Sequence, residues 1–197
     1  MSATRTGPGF ATVGTEPVPT EKACAEMKPS TVITSAAVAL ASFALAVFAA
    51  HPASAQNASQ IEHARAGASC PHCNLFQADF SNQEMKGRNF AGARLRQADL
   101  SASEMDRASF ARADLRDVNA FGGRFTGASF SGANLANASF VGAYLQGADF
   151  RGARLAGADF SGAEMDHVRG LSQSQLEGAC GDESTTLPRG LRLTRCD

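Results

Sequence analysis

The residue types best equipped for chemistry stand at the two ends of one long stretch. Cys70, Pro71, His72 and Cys73 place two thiols three residues apart, a spacing at which they can close a disulfide, exchange it with another thiol or share a metal ion. Cys180 and Cys196 make a second pair, and a fifth thiol, Cys24, lies far upstream. Histidine occurs only at 51, 63, 72 and 167. Covalent haem attachment is ruled out by Asn74, which stands where a histidine must follow the second cysteine. Zinc held by Cys70, Cys73 and either His72 or His63 stays open, although a second pair of ligands at standard spacing is missing.

What must position these groups is a five-residue beat that runs from Cys73 to His167 without a break. It holds nineteen units. The central residue is Leu, Phe or Met in eighteen of them, from Leu75, Phe80 and Met85 onward to Met165, with Ala120 the exception. Two places before the centre, thirteen units carry Ala. A period of five fits neither a helix nor a plain strand, so the apolar centres share one interior only if the chain turns once per unit. A repeating turn makes a solenoid. Taken every twenty residues, Leu75, Leu95, Leu115, Leu135 and Leu155 form one column and Phe90, Phe110, Phe130 and Phe150 another. Met85, Met105 and Met165 share a third with Phe125 and Leu145. Four units therefore make one coil of a square tube.

Ala133-Asn134-Leu135 and Ala148-Asp149-Phe150-Arg151-Gly152 show best a motif that resembles the pentapeptide-repeat family, whose idealised unit is A(D/N)LxG. The resemblance covers about half of the chain. It implies an all-β fold, a right-handed quadrilateral parallel β-helix, here of just under five coils; the hand comes from the family, the four sides from the columns. At ~4.8 Å per strand the tube is roughly 23 Å long. Each buried centre contributes ~1.5–3 kcal/mol, and a Phe column can stack its rings at the same spacing. Gly closes ten units, as at Gly127, Gly132 and Gly142, where a corner can require positive φ.

Such a tube is a core in itself and leaves no interior cavity for a substrate. Ser, Asp and Glu fall where the motif tolerates any polar residue, and His72 and His167 lie at opposite ends. The expectation is a protein that is not an enzyme, with no catalytic residues, no cofactor and no metal. Cys-Pro-His-Cys resembles the active-site motif of periplasmic thiol oxidants, but there the first Cys is activated at a helix N-terminus within a βαβ framework. Here Cys70 falls on a centre position and Cys73 on an Ala position, so both point inward at the open end, as buried residues or as a structural disulfide.

Departures from the motif mark the irregular places. Gln83, Arg88 and Ser103 occupy inward Ala positions, so the first coils should be looser or wetter; Arg88, too costly to bury unpaired, should leave by the open end or meet Glu84. Around Ala120, flanked by Val118 and Gly123, the favoured expectation is that Phe121 slips inward through a bulge. The alternative keeps Phe121 outward, with Val118 partly filling the gap, one coil below Val141 at the same corner and across from Tyr144. That trio lies by a stretch, Thr126 to Ala148, without any charge, and would form a protein contact. Arg94, Arg96 and Arg116 with Asp114 should form a solvated charge ladder, with Glu104 and Arg124 paired on another side.

In domain terms the chain divides into an N-terminal extension with signal peptide (1–55), a flank with one helical turn around Ile61 (56–69), the β-helix (70–167) and a cap (168–197). Residues 32–50 carry no charge and precede Ala53-Ser54-Ala55, a small-residue cleavage signature. Met27 and Lys28 supply a start and a positive charge directly ahead of the apolar run. Export to the periplasm or beyond is the reading; the rival is an uncleaved anchor through 32–50. The chain carries 18 basic and 19 acidic residues, and neither the basic face of a nucleic-acid binder nor the acidity of a DNA mimic is visible in that total. In the cap, Ser172 and Gln175 have capping-box spacing for a helix through Leu176 ending at Gly178, and Cys180 with Cys196 brackets a loop worth ~3 kcal/mol if bridged. Four cysteines beyond the cleavage site permit three pairings; 70 with 73 and 180 with 196 is preferred. The tail also resembles the closing segment of exported pentapeptide-repeat proteins. The function expected is a rigid scaffold or protein-binding module with an unknown envelope protein partner, a second copy of the chain being one candidate. The alternatives are a DNA-mimic regulator of a type II topoisomerase, as some cytoplasmic family members are, and a thiol oxidoreductase using Cys70 and Cys73.

Overall fold

The computed structural model describes residues 58–196. The proposed start at Met27, the apolar run 32–50, the Ala53–Ala55 signature, Cys24 and His51 lie outside the described residues.

Every unit from the one centred on Cys70 to the one centred on Met165 makes the same corner. The central carbonyl accepts the N–H three residues on, at 2.9 to 3.4 Å, and the residue two after the centre has positive φ. Positive φ at the third residue of a four-residue turn is the type II pattern and favours Gly. Ten of the twenty corners nevertheless use other residues, among them His72, Gln77, Arg107 and His167, with φ from 52° to 62°. Several of these gain compensation one coil away. Gln77 donates to Gln97 at 3.1 Å and Asn137 to Asp117 at 3.2 Å, while the Arg107 and Arg112 stems lie across Gly127 and Gly132. The unit at Cys70 completes a fifth coil beyond the nineteen units of the repeat.

Between corners the chain is extended, and one residue per unit pairs in parallel with the residue twenty places on. These bridges define four walls. Wall 1 begins Asn74, Arg94, Asp114; wall 2 Asp79, Asp99, Asn119; wall 3 Glu84, Glu104, Arg124; wall 4 Asn89, Ser109, Ser129. The centres point inward and are at most 2% exposed throughout. Phe90, Phe110, Phe130 and Phe150 stack with centroids 5.2 to 5.5 Å apart and planes within 18°, so the wall spacing sets the ring spacing.

The unit at Ala120 is regular. Gly123 N–H reaches the Ala120 carbonyl at 3.1 Å and Phe121 is 58% exposed, which corrects the expectation of a bulge carrying Phe121 inward. Val118 is buried instead, and the absence of a side chain on Gly123 admits the Phe125 ring, which meets Phe110 and Phe140 edge-on. One larger residue and one displaced ring thus fill the space left by the small centre, so the backbone has no reason to slip.

Both ends are closed by groups that replace a missing coil. At the N-terminal end α1 (Ala58–Arg65) makes two turns, not one, and buries Ile61 and Ala64. Gln60 Oε1 accepts the Asn74 N–H at 2.7 Å, Arg65 Nε donates to the Asp79 carbonyl at 3.0 Å, and Ser69 Oγ accepts the Asn89 N–H at 3.0 Å. Ala78 is buried beneath this cover, while Gln83 and Arg88, on the far half of the same coil, are exposed. Met85 and Phe90 stay at 1% exposure, so the first coil is polar at its rim but not wet within. Arg88 leaves by the open end past Gly67, and Glu84 pairs with Lys86 at 3.0 Å. Ser103 is fully buried, satisfied by the Leu100 carbonyl at 2.6 Å.

At the other end α2 (Gln173–Leu176) takes the place of a wall-1 strand, with Ser172 N–H donating to Gln175 Oε1. The ladder continues through β1 (Cys180–Gly181) on wall 2 and Thr186 on wall 3, and β2 (Thr194–Arg195) pairs in parallel with β1. Gln175 Nε2 donates to the Phe150 and Ala153 carbonyls, and Thr185 Oγ1 to the Phe160 carbonyl. Covered edges in this way offer no template for further strands.

Candidate interaction surface

The chemistry-bearing residues divide between the ends and one corner. Cys70 is bonded to Cys73, and Cys180 to Cys196, with Cα atoms 5.5 and 5.0 Å apart. Cys70 is 2% exposed and sits in a corner turn, not at the start of a helix. His63 and His72 are exposed; His72 lies against Gly92 across the corner, and His167 sits beside Asp166 at 3.4 Å at the far end. Asp159, Cys180 and Cys196 bring metal-binding atom types within 4.8 Å of one another, but the two sulfurs are bonded to each other. Among the described residues these groups do not bring a nucleophile together with a base.

The corner between walls 2 and 3 is different. Phe121 and Val141 stand on it in adjacent coils, held in register by the Gly122 N–H to Val141 carbonyl bond of 2.9 Å. Tyr144, on wall 3, is 43% exposed, and Val141 is half-buried. Phe121 and Tyr144 are the exposed large hydrophobic residues among those described. A β-carbon added at Gly122 or Gly142 would meet nothing within 4 Å, so the space beside the ring is open.

Charge is distributed by wall. Wall 1 and the corner after it carry Arg94, Arg96, Arg116 and Arg154 against Asp114 and Asp117; wall 4 and its corner carry Arg112, Arg151 and Arg169 against Asp149. On this side three aspartates are each held by an arginine, Asp114 by Arg116 at 2.7 Å, Asp149 by Arg151 and Asp117 by Arg96 at 3.3 Å. The hydrogen bonds from Arg116 and Arg151 hold the Asp114 and Asp149 carboxyls below the usual range. Arg94 lies 5.3 Å over the Phe76 ring, so the expected ladder of three arginines is two ion pairs and a cation–π contact.

Walls 2 and 3 are acidic. Wall 2 and its corner have Asp79, Asp99 and Asp159 with no basic residue, and wall 3 with its corner has Glu84, Glu104, Asp106, Glu164 and Asp166 against Lys86, Arg107 and Arg124. Arg124 bonds Asp106 at 2.9 Å and reaches Glu104 at 3.8 Å, a wider pair than expected because Lys86 holds Glu104 at 2.5 Å. The near-even total of 18 basic and 19 acidic residues therefore conceals an acidic side and a basic side of the tube. The signal was present: the twenty-residue register that sorts the buried centres also sorts the outward residues, once applied to them.

A family model described as pentapeptide repeats matches in eight copies, over residues 73–110, 84–119, 124–162 and 143–180. Similar solved structures include a pentapeptide-repeat protein (Rfr23) of the cyanobacterium Cyanothece 51142, 23% identical, covering 66% of this chain and 97% of that one with a TM-score of 0.47. The pentapeptide-repeat protein alr5209 of Nostoc PCC 7120 is 25% identical over 70% of this chain and 88% of its own, with a TM-score of 0.32. QnrB1, a plasmid-mediated fluoroquinolone resistance protein, is 22% identical in a trypsin-treated form, over 65% and 78%, with a TM-score of 0.33. None of the curated proteins matches the sequence.

Proposed function

This chain belongs to the pentapeptide-repeat family, and from that premise we propose that it is an exported, non-enzymatic interaction module, a rigid tube that offers its walls to a protein partner in the cell envelope. The filled interior carries the reading. With every centre from Leu75 to Met165 at most 2% exposed, whatever the tube binds must be met on the outside, and among the described residues the outside offers one exposed apolar corner, at Phe121, Val141 and Tyr144. Export draws on the uncharged run 32–50 followed by Ala53-Ser54-Ala55, and on cysteine pairs placed at both ends, where an oxidising compartment keeps them closed.

The burial of Cys70 in a corner turn works against thiol exchange, which needs an accessible, activated sulfur. A DNA mimic would need acid along a duplex-like surface; here an apolar corner interrupts the acidic side.

The test is a photo-crosslinking residue at position 121 in the native cells, with the intact mass of the recovered chain. A discrete adduct with one envelope protein, on a chain beginning near Gln56 with four cysteines protected until reduction, is the expected result. An adduct with a topoisomerase subunit, or a chain that keeps its N-terminus and free thiols, overturns the proposal.

A further inference from the structure

We infer that the corner carrying Phe121 and Val141, with Tyr144 beside it, docks a cationic polypeptide segment bearing one apolar anchor. The inference rests on the interaction-module reading and adds the chemistry of the partner.

The centre of the site is apolar and open. Phe121 is 58% and Tyr144 43% exposed, and Gly122 and Gly142 leave the corner bare beside them. An anchor laid there loses water contact against the ring without displacing a side chain.

The rim is acidic, and among the described residues no cation pairs with Asp99, Asp159 or Glu164. Asp99 lies one coil before Asn119 on wall 2 and Asp159 one coil after Ser139; Glu164 follows Tyr144 on wall 3. Their hydrogen-bond donors are neutral groups, Asn119 and the Ser101 N–H for Asp99, the Ser161 N–H for Asp159 and Gln146 for Glu164. Arg124, the cation of wall 3, is already engaged by Asp106 and Glu104.

These charges select the occupant. A second copy related by a two-fold axis across the corner would set Asp99 against Asp159 and Glu104 against Glu164, like charges in both cases. An anionic bilayer is repelled by the same groups. Three coils separate Asp99 from Asp159, about 14 Å, which an extended segment covers in about four residues. The partner therefore carries Lys or Arg about two residues to each side of its anchor.

The experiment uses fluorescence anisotropy with a labelled heptapeptide, Lys-Lys-Ala-Leu-Ala-Lys-Lys, and its glutamate counterpart, added to the purified protein at low and high salt. Saturable binding of the lysine peptide alone is expected, weakened roughly tenfold by Phe121→Ser, by Asp99→Asn combined with Asp159→Asn, or by high salt. Arg94→Gln combined with Arg154→Gln, on the other side of the tube, should leave it unchanged. An unaltered melting temperature of Phe121→Ser establishes that the loss is local. No saturable binding, equal binding of the glutamate peptide, indifference to Phe121→Ser, or a free protein already dimeric through this corner in sedimentation would each overturn the inference. In cells the two readings separate. A position-121 adduct that persists in Asp99→Asn with Asp159→Asn keeps the module and discards the cationic partner; loss of every adduct in the parent removes the module itself.

Discussion

The edge of the Phe125 ring lies over the α-carbon of Gly123, so close that a β-carbon there would come 2.6 Å from Cε2 and 3.2 Å from the Leu100 carbonyl. Gly123 has no positive φ to protect, so its role is to make room for the ring. Gly123→Ala should destabilise by about 1–3 kcal/mol in chemical denaturation, and Phe125→Leu in the same chain should recover part of that loss. Ala120→Leu, although it restores the residue the repeat prefers, should also destabilise by about 1–3 kcal/mol because Val118 and Phe125 already occupy the space. A stabilised Ala120→Leu protein would show that a void remains there.

The C-terminal edge depends on Gln175, whose amide serves two carbonyls, those of Phe150 and Ala153. Gln175→Ala removes the side-chain donor from the Ala153 carbonyl and leaves the Phe150 carbonyl with its corner bond from the Ala153 N–H alone, and should lower stability by about 1–3 kcal/mol. Hydrogen exchange should report faster opening in 168–196 than in the tube. Uniform loss throughout would mean that cap and tube unfold as one unit.

The cap is also sensitive to acid. Asp182 accepts from the Ser184 hydroxyl and the Gly162 N–H, and these bonds, the Ser184 hydroxyl first, lower its carboxyl to about 2. Because the folded value lies below the unfolded one, its contribution is complete above about pH 4 and disappears as pH falls through about 2. A pH titration of cap amide resonances should show loosening in that window, and Asp182→Asn should flatten that part of the profile. An identical acid profile in the variant would assign the transition to other carboxylates.

The Cys180–Cys196 bond closes a loop of sixteen residues in sequence separation, and its removal by Cys196→Ser should destabilise by about 3 kcal/mol in the chain-entropy view. Loss confined to β1 and β2, with the Phe90 to Phe150 stack intact by near-ultraviolet circular dichroism, is expected. Collapse of the aromatic signal would mean that the bond supports the tube as well.

What the sequence alone determined is the tube. A period of five commits the chain to a turn per unit, and like residues every twenty places commit it to four walls, because only that winding brings Leu75 over Leu95 and Phe90 over Phe110. Both ends were legible in part, in the Ser172 and Gln175 spacing and in the cysteines. Tertiary structure decided where local pattern left a balance. Phe121 faces outward because Val118 and Phe125 together fill the space that Ala120 leaves, a volume match no single unit reveals. Gln83 and Arg88 are exposed because α1 covers only half of the first coil. The segregation of charge needs the coil as well: residues twenty apart become neighbours only after winding, and a balanced sum along the chain becomes an acidic and a basic side once the walls exist.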